Sequence, residues 1–549
     1  MMWNYADIWE TVADAVPERT AQIHGERRLS WRRFDRRADG LARHLLEAGL
    51  TRQAKVAAYL YNAPEYLETY FAAFKAGLVP VNTNHRYVAD ELFYLFDNAD
   101  AQAVVFHASF TEKVAAIRAR LPKIRTWIAV AEPGHPVPDF ASDYERVAGR
   151  DVEPARPPWG RSADDLLLLY TGGTTGMPKG VMWRQEDLFQ VLGAGGNLLL
   201  GLPAFETLQD AAERAISVDP GVTIAAAPLM HGTAQFTAIG ALTVGGCVAC
   251  LPGARFDAVE FWSEAARLNA TGAAIVGMAF ALPMLEALDT NPGRWDLTSL
   301  RRLGSSGTVW SMENKQGLLK HLPGCAIFDS LGSSEAVGLG ASNSAAGEEA
   351  ETARFMVGPN SAVFTEDGRR VEPGSGERGQ VAVSGFLPVG YYKDPDKSAR
   401  TFRELEGRRW SIPGDFATVE ADGTLKLLGR GSQVINTGGE KVFPEEVEEA
   451  IKRYPGVRDA AVVGAPDPRF GERVCAVIDM AGEDLPTLTA ITEHVRLHLA
   501  AYKAPRDLVF APIVRAANGK LDYKAVRAEA LAALAGRSDF DPPARMNDL

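Results

Sequence analysis

Cysteine is scarce. Four residues in a chain of 549 cannot supply a disulfide framework. Cys247 and Cys250 form a C-x-x-C, but no second pair follows and Val244, Val248 and Leu251 around it are apolar, so a buried strand is expected there rather than zinc or redox chemistry. Reduced thiols place the chain in the cytoplasm. Positive charge is also short: 58 Lys and Arg against 70 Asp and Glu leave a net charge of -12. Nucleic acid and anionic membrane are therefore excluded as general partners, and any anion binding must be local. The opening residues Met1 to Asp7 lack a basic segment followed by an apolar run, so no secretion signal is expected. From Pro220 to Ala254 there is no Asp, Glu, Lys or Arg, yet Pro228, His231, Gly232, Gln235, Gly240, Gly245, Gly246 and Pro252 interrupt the stretch. That pattern predicts interior strands and a short helix, not a transmembrane segment. There is no internal repeat, and 46% hydrophobic with 23% charged residues describes a globular chain long enough for two or more domains.

Against this background one stretch stands out: Tyr170-Thr171-Gly172-Gly173-Thr174-Thr175-Gly176-Met177-Pro178-Lys179-Gly180, preceded by the apolar run Leu166 to Leu169. The run reads as a buried strand and the loop as phosphate-binding equipment. Glycines let backbone N–H groups approach an anion, the threonines add hydroxyl donors, and Lys179 brings a mobile positive charge. The loop is not the nucleotidase G-x-x-x-x-G-K-[ST], because Met177 and Pro178 separate the last glycine from the lysine and Gly180 stands where a magnesium-binding hydroxyl would be.

Along the chain, Trp31, Phe34, Ala38, Leu41, Ala42 and Leu45 recur at helical spacing behind Ser30, a candidate N-cap, with Gly49 as the stop. Strands are predicted at Val56 to Tyr61, Val79 to Asn82 and Ala103 to His107, and helices at Tyr66 to Ala76 and Ala89 to Asn98. This is a parallel α/β pattern. Glu132 to Gly160 is expected to be a loop. Strand candidates resume at Ile224 to Ala227, Ala273 to Val276 and Ala326 to Ser330, which implies a second α/β layer. From Met356 to Arg430 short β runs punctuated by Asp367-Gly368 and Asp422-Gly423 predict a small barrel or sheet. Helices at Pro444 to Arg453 and Leu488 to Ala500, with strands at Ala460 to Val463 and Val474 to Ile478, make a last α+β module, and Ser538 to Leu549 reads as a frayed tail.

Several further strings accompany the phosphate loop in order: Ala227 to His231, Asp329-Ser330-Leu331-Gly332-Ser333-Ser334-Glu335, Pro413-Gly414-Asp415, Gly429-Arg430, Gly438 to Glu448, and Asn518-Gly519-Lys520. Together they resemble the adenylate-forming superfamily of acyl-CoA synthetases, peptide-synthetase adenylation domains and luciferases, over about residues 10 to 535. Gly180 to Asp187 and Ile435 to Lys441 are most similar to actinobacterial CoA ligases for bulky acids such as steroid or terpenoid acids. The resemblance implies an α/β fold: an N-terminal domain, residues 1–430, of two α/β subdomains plus a small β-barrel, and a mobile α+β C-terminal lid, residues 431–549, hinged near Ser432.

It also implies chemistry and roles. A carboxylic acid is joined to AMP with ATP and Mg2+, and a thiol, CoA, then displaces AMP, so positioned cations and donors should carry catalysis. Thr171, Gly172, Gly173, Thr174, Thr175, Gly176 and Lys179 would hold the phosphates, Glu335 the magnesium, and Asp415 and Arg430 the ribose. Leu331, Gly332, Ser333 and Ser334 would border the nucleotide. Lys520 would neutralise the reacting oxygens. Gly438 and Gly439 would face the pantetheine arm, and Lys441 the CoA phosphates. His231 is either a gate to the acid site or a core histidine. Gln235, Phe236, Val276, Gly277, Met278, Ser305, Ser306 and Gly307 would line a roomy apolar pocket with no charge to pair a second polar group, which predicts a bulky hydrophobic acid. Three departures bear on the nucleotide: Leu331 occupies the family's aromatic position, Ser334 replaces a threonine, and Pro413 replaces a threonine or serine. They keep open an enzyme that performs mainly the thioester-forming half on a supplied acyl-adenylate. Acyl transfer to a carrier-protein thiol, a degenerate homologue that only binds, and a homodimer are also left open.

Overall fold

The computed structural model describes residues 2–171, 177–196, 202–306, 312–347, 354–430, 435–442, 444–482, 484–513 and 523–536. Two compact units divide the chain, the first containing Met1–Thr171 and Pro178–Gly431, the second Ser432–Leu549.

In the first unit the helix Trp31–Glu47 forms as its pattern dictates. The Ser30 hydroxyl accepts the Arg33 N–H at 3.3 Å, and Trp31, Phe34, Ala38, Leu41, Ala42 and Leu45 are all buried. The chain leaves the helix through Gly49 at φ +80, a conformation that favours glycine. Around such helices stand two sheets. One runs, in spatial order, Gly390–Tyr391, Lys179–Arg184, Leu166–Thr171, Val79–Asn82, Lys55–Tyr59, Ala101–His107, Thr126–Val130 and Ser142–Asp143. The other runs Ala336–Ser344, Ala326–Ser333, Arg302–Ser306, Gly272–Ile275, Val222–Ala225, Cys247–Cys250, Thr20–His24 and Arg27–Ser30. Six consecutive strands of the second, from Ala326–Ser333 to Thr20–His24, are parallel. Parallel strands are covered on both faces, which is why Cys247–Cys250 is buried at every position. The four cysteines are free and buried, and the uncharged stretch folds as strand, helix Gly232–Thr243 and strand. No helix among the described residues is long and apolar enough to cross a membrane.

The stretch expected to be a loop between Glu132 and Gly160 contains the strand Ser142–Asp143 and the helix Tyr144–Ala148, capped by Asp143, whose carboxylate accepts the Arg146 N–H at 2.9 Å. Five residues are too few to show a helical period, and the buried Tyr144 ring, not periodicity, fixes them. The β-rich stretch forms a sheet of seven strands with its own core around Phe355, Val381 and Leu425. Both predicted turns are present, with Gly368 at φ +85 and Gly423 at φ +82.

The second unit is a five-stranded sheet of Glu440–Val442, Ile435–Thr437, Gly471–Met480, Val457–Asp467 and Asp507–Phe510. The helices Pro444–Lys452 and Leu488–His498 share one apolar cluster with it, and Tyr523–Ala535 another.

Candidate active site

Ligands of open α/β sheets bind beyond the carboxyl ends of the parallel strands, and Thr171 and Ser306 stand at such ends. Leu166–Thr171 and Lys179–Arg184 are an antiparallel pair in which Thr171 faces Lys179 and Tyr170 faces Gly180. Residues Gly172, Gly173, Thr174, Thr175 and Gly176, which join them, lie outside the described residues. The base of this hairpin is tightly built. The Tyr170 ring lies over Gly180, where a Cβ would meet its Cε2 at 2.6 Å, and its hydroxyl donates to Asn98 at 2.7 Å.

Lys179 donates to the Asp394 carboxylate. Asp394 also caps the helix Pro395–Thr401, its second oxygen accepting the Lys397 N–H at 2.9 Å. Burial raises this carboxyl, but the hydrogen bonds from Lys179 and the Lys397 backbone outweigh it and hold the carboxyl below its ordinary value. Three residues earlier, the Tyr391 hydroxyl donates to Glu335 Oε1 at 2.8 Å. The Glu335 backbone oxygen accepts from Ser411 at 2.7 Å, and Trp183 Nε1 donates to the Ser334 carbonyl at 2.9 Å. Glu335 is half-buried in the turn between Ala326–Ser333 and Ala336–Ser344. The lysine and the glutamate, separated in sequence by five strands of the second sheet, thus end on one five-residue segment.

Magnesium commonly takes one or two carboxylates and completes its shell with phosphate and water oxygens. Glu335 offers one such carboxylate, half-buried in its turn. Ser333 adds a second sign of a ligand, since its hydroxyl is buried without a hydrogen-bond partner, a cost of about 1–3 kcal/mol that a bound group or water would relieve.

The expected ribose residues stand opposite each other: Asp415, 8% exposed, pairs in register with Arg430 across adjacent strands. The Arg430 side chain lies outside the described residues. Leu331, expected to border the nucleotide, is 9% exposed, and its side chain joins Phe355, Val381 and Leu425 in the core of the small sheet.

The pocket candidates divide by burial. His231, which precedes the helix Gly232–Thr243, is half-buried, as are Phe236 and Ser306, the Ser306 hydroxyl donating to the Ser330 carbonyl at 2.9 Å. Phe236 meets Trp183 edge-on at 6.4 Å. Gln235, expected to line the pocket, is fully buried, and its amide donates to Tyr70 at 2.8 Å, Tyr66 at 3.0 Å and the Leu229 carbonyl at 3.2 Å. The amide nitrogen finds the partners a buried donor needs, while the buried Oε1 has none. Val276 is a core residue, and the Ser305 hydroxyl accepts the Gly277 N–H at 3.0 Å. The Met278 side chain, Gly307, Ser432 and Lys520 lie outside the described residues. In the second unit, Gly438 and Gly439 form the two-residue turn of a hairpin with φ +60 and +84, which glycines favour. Asn436 faces Lys441 in the same hairpin.

Two asparagines that sequence patterning passed over organise the site. Asn82 donates to the carbonyls of Tyr170 at 2.9 Å and Met230 at 2.6 Å and accepts the Tyr170 N–H at 2.6 Å. Asn62 donates to the carbonyls of Ala225 and Ala227, each at 2.9 Å, and accepts the Leu229 N–H at 2.7 Å. Between them they fasten the Ala227 to His231 segment to the phosphate-loop sheet. Each is a polar residue at the end of a predicted strand or just beyond one, the only signal the sequence carried.

The chain matches the AMP-binding enzyme family over residues 9–392 and the AMP-binding enzyme C-terminal domain over 446–520. It is 41% identical over 537 residues to a medium/long-chain-fatty-acid and 3-oxocholest-4-en-26-oate CoA ligase of Mycolicibacterium smegmatis, covering 95% of this chain and 96% of that one. To the 3-oxocholest-4-en-26-oate CoA ligase of Rhodococcus rhodochrous it is 42% identical over 538 residues, covering 95% of each. In fold it resembles the amide bond synthetase McbA of Marinactinospora thermotolerans, with a TM-score of 0.78, 24% identity, and coverage of 96% of this chain and 99% of that one. Matched along nearly its full length, the chain belongs to the AMP-binding enzyme family.

Proposed function

We propose that this enzyme is an ATP-dependent acyl-CoA ligase for bulky hydrophobic acids, of the steroid side-chain or long fatty-chain kind. The observation that carries the reading is identity above 40% across 95% of the chain to ligases named for such acids. The half-exposed Phe236 beside Trp183 offers an apolar approach. In the first step a carboxylate oxygen of the acid attacks the α-phosphorus of ATP, the bond to the β-phosphate oxygen breaks, and pyrophosphate leaves. Lys179 holds the phosphates, Asp415 and Arg430 orient the ribose, and Lys520 offsets charge on the reacting oxygens. Glu335 would hold Mg2+, which when bound neutralises phosphate charge. In the second step the CoA sulfur attacks the acyl carbon and AMP leaves. The C-terminal module turns about Ser432 between steps, and the Gly438-Gly439 turn lets the pantetheine arm pass close to backbone. Four free, buried thiols accord with a reducing cytoplasm.

Pyrophosphate release with ATP, Mg2+ and a panel of acids tests this. Acid-dependent release, thioester on adding CoA, and preference for a steroid side-chain acid over acetate are expected; preference for acetate overturns the substrate class. The burial of Leu331 favours a second reading, an enzyme of the thioester-forming half alone. Silence in that assay with rapid CoA-dependent use of synthetic acyl-adenylates would establish it.

A further inference from the structure

The segment Gly390–Asp394 is an edge strand and the turn after it, and its side chains are tied to opposite walls of the site. Gly390 and Tyr391 pair with Met182 and Val181 of the strand that begins at Lys179, and the Tyr392 N–H donates to the Gly180 carbonyl at 2.8 Å. Tyr391 holds Glu335 at 2.8 Å. Tyr392 donates to Asp100 at 2.8 Å, and Lys393 pairs with the same carboxylate at 2.7 Å. Asp394 takes Lys179 on one oxygen and the Lys397 N–H on the other. Lys393 has φ +56, a left-handed conformation that costs a residue with a Cβ, so the turn is held by these ties rather than by local preference. Ser398 locks it from below, accepting the Tyr391 N–H at 2.8 Å and donating to the Asp394 carbonyl at 2.7 Å.

The Lys179 and Asp394 side chains are 18% and 22% exposed, so the pair is open to a ligand. A lysine on a flexible four-carbon stem loses rotamer freedom when it binds phosphate. A carboxylate that already restrains the ammonium beside the phosphate site removes part of that cost, and the three N–H donors of the ammonium let it bond the carboxylate and a phosphate oxygen at once.

We propose that Asp394 is a positioning residue for adenylation: it sets the Lys179 ammonium for the ATP phosphates, while Tyr391, on the same segment, sets Glu335 at a fixed offset from it. This rests on the ligase reading above. If Asp394 instead merely caps a seven-residue helix, substitution separates the two roles, because asparagine caps as well as aspartate.

In Asp394→Asn the cap stays and the charge pairing with Lys179 goes. With the full-length enzyme, acid-dependent ATP–pyrophosphate exchange should show KM for ATP raised roughly tenfold, with KM for the acid and the melting temperature unchanged. Thioester formation from a synthetic acyl-adenylate and CoA should stay at the wild-type rate, because that half-reaction involves no pyrophosphate. Asp394→Glu, which restores the charge, should recover part of the loss. Exchange kinetics of Asp394→Asn equal to wild type, or equal losses in both half-reactions, overturn the proposal. Absence of exchange in the wild-type enzyme would instead overturn the ligase reading.

Discussion

The first unit contains two clusters built of the same groups, a lysine among carboxylates, and they differ in how far they are closed. Lys75 is 1% exposed and pairs with Glu10 at 2.8 Å, Asp35 at 2.7 Å and Asp39 at 2.9 Å. Asp39 also accepts the Ala155 N–H at 2.8 Å, and Arg161 and Arg156 reach Glu10 at 2.7 and 2.9 Å. Lys179 and Glu335, by contrast, are partly open and tied to one short segment. A closed cluster stabilises one arrangement of helices and can do nothing to a solute. An open one leaves capacity for a ligand, at some expense in stability. The comparison predicts that equal chemical changes give unlike results. Lys75→Met strands three carboxylates with too little positive charge and should destabilise the first unit by about 3–5 kcal/mol, read as a fall in the denaturant midpoint, while activity per folded molecule stays near wild type. A midpoint within experimental error of wild type would erase the distinction.

Lys179→Met is the reciprocal test. The charge is partly open and the partner Asp394 can be solvated, so stability should change by less than about 1 kcal/mol. Adenylation should fall on the order of a hundredfold or more in kcat/KM for ATP, about 3 kcal/mol of lost transition-state stabilisation. Acid-dependent pyrophosphate exchange beside a melting curve checks both. A large loss of stability without a matching loss of exchange would put Lys179 in the same class as Lys75.

Legibility followed the range of the interactions. Val79–Asn82 and Ala89–Asn98 are predicted to the residue, because a run of buried apolar residues and a helical stripe are local signals. The phosphate loop and its accompanying strings are equally plain, since their residue types are demanded by chemistry rather than by packing. What patterning missed is long-range. Asn82 acts on a residue 88 positions away, and Asp394 on one 215 positions away. Neither an asparagine at a strand end nor an aspartate before a proline announces its partner. Leu331 and Gln235 show the same limit: motif position suggests a ligand contact, and it says nothing of the packing partners, which are the core of the small sheet for one and the Tyr66 and Tyr70 hydroxyls for the other.

The smallest effect probes whether the closed cluster is fully balanced. Burial pushes the Asp35 carboxyl up; Lys75 draws it back, Asp39 and Glu10 repel it, and it settles at about 6 against an ordinary 3.8. Glu10 goes the other way: burial raises it, but hydrogen bonds from Arg161 and Arg156 and the charge of Lys75 outweigh this and bring it from 4.5 to about 2. The signs follow from linkage. A carboxyl whose folded value is raised contributes stability that is whole below the ordinary value and lost as pH rises through the folded one, so Asp35 weakens the fold between about pH 4 and 6. Glu10 contributes above its ordinary value and loses that contribution as pH falls toward about 2. Asp35→Asn removes the first effect and leaves the second. The stability of the variant relative to wild type should therefore rise by about 1–2 kcal/mol from about pH 4 to about pH 6.5 and then level. Denaturant midpoints of both proteins across that window would show it. A difference that stays flat would mean that Lys75 keeps Asp35 ionised throughout, and that the closed cluster, unlike the open one, carries no uncompensated charge.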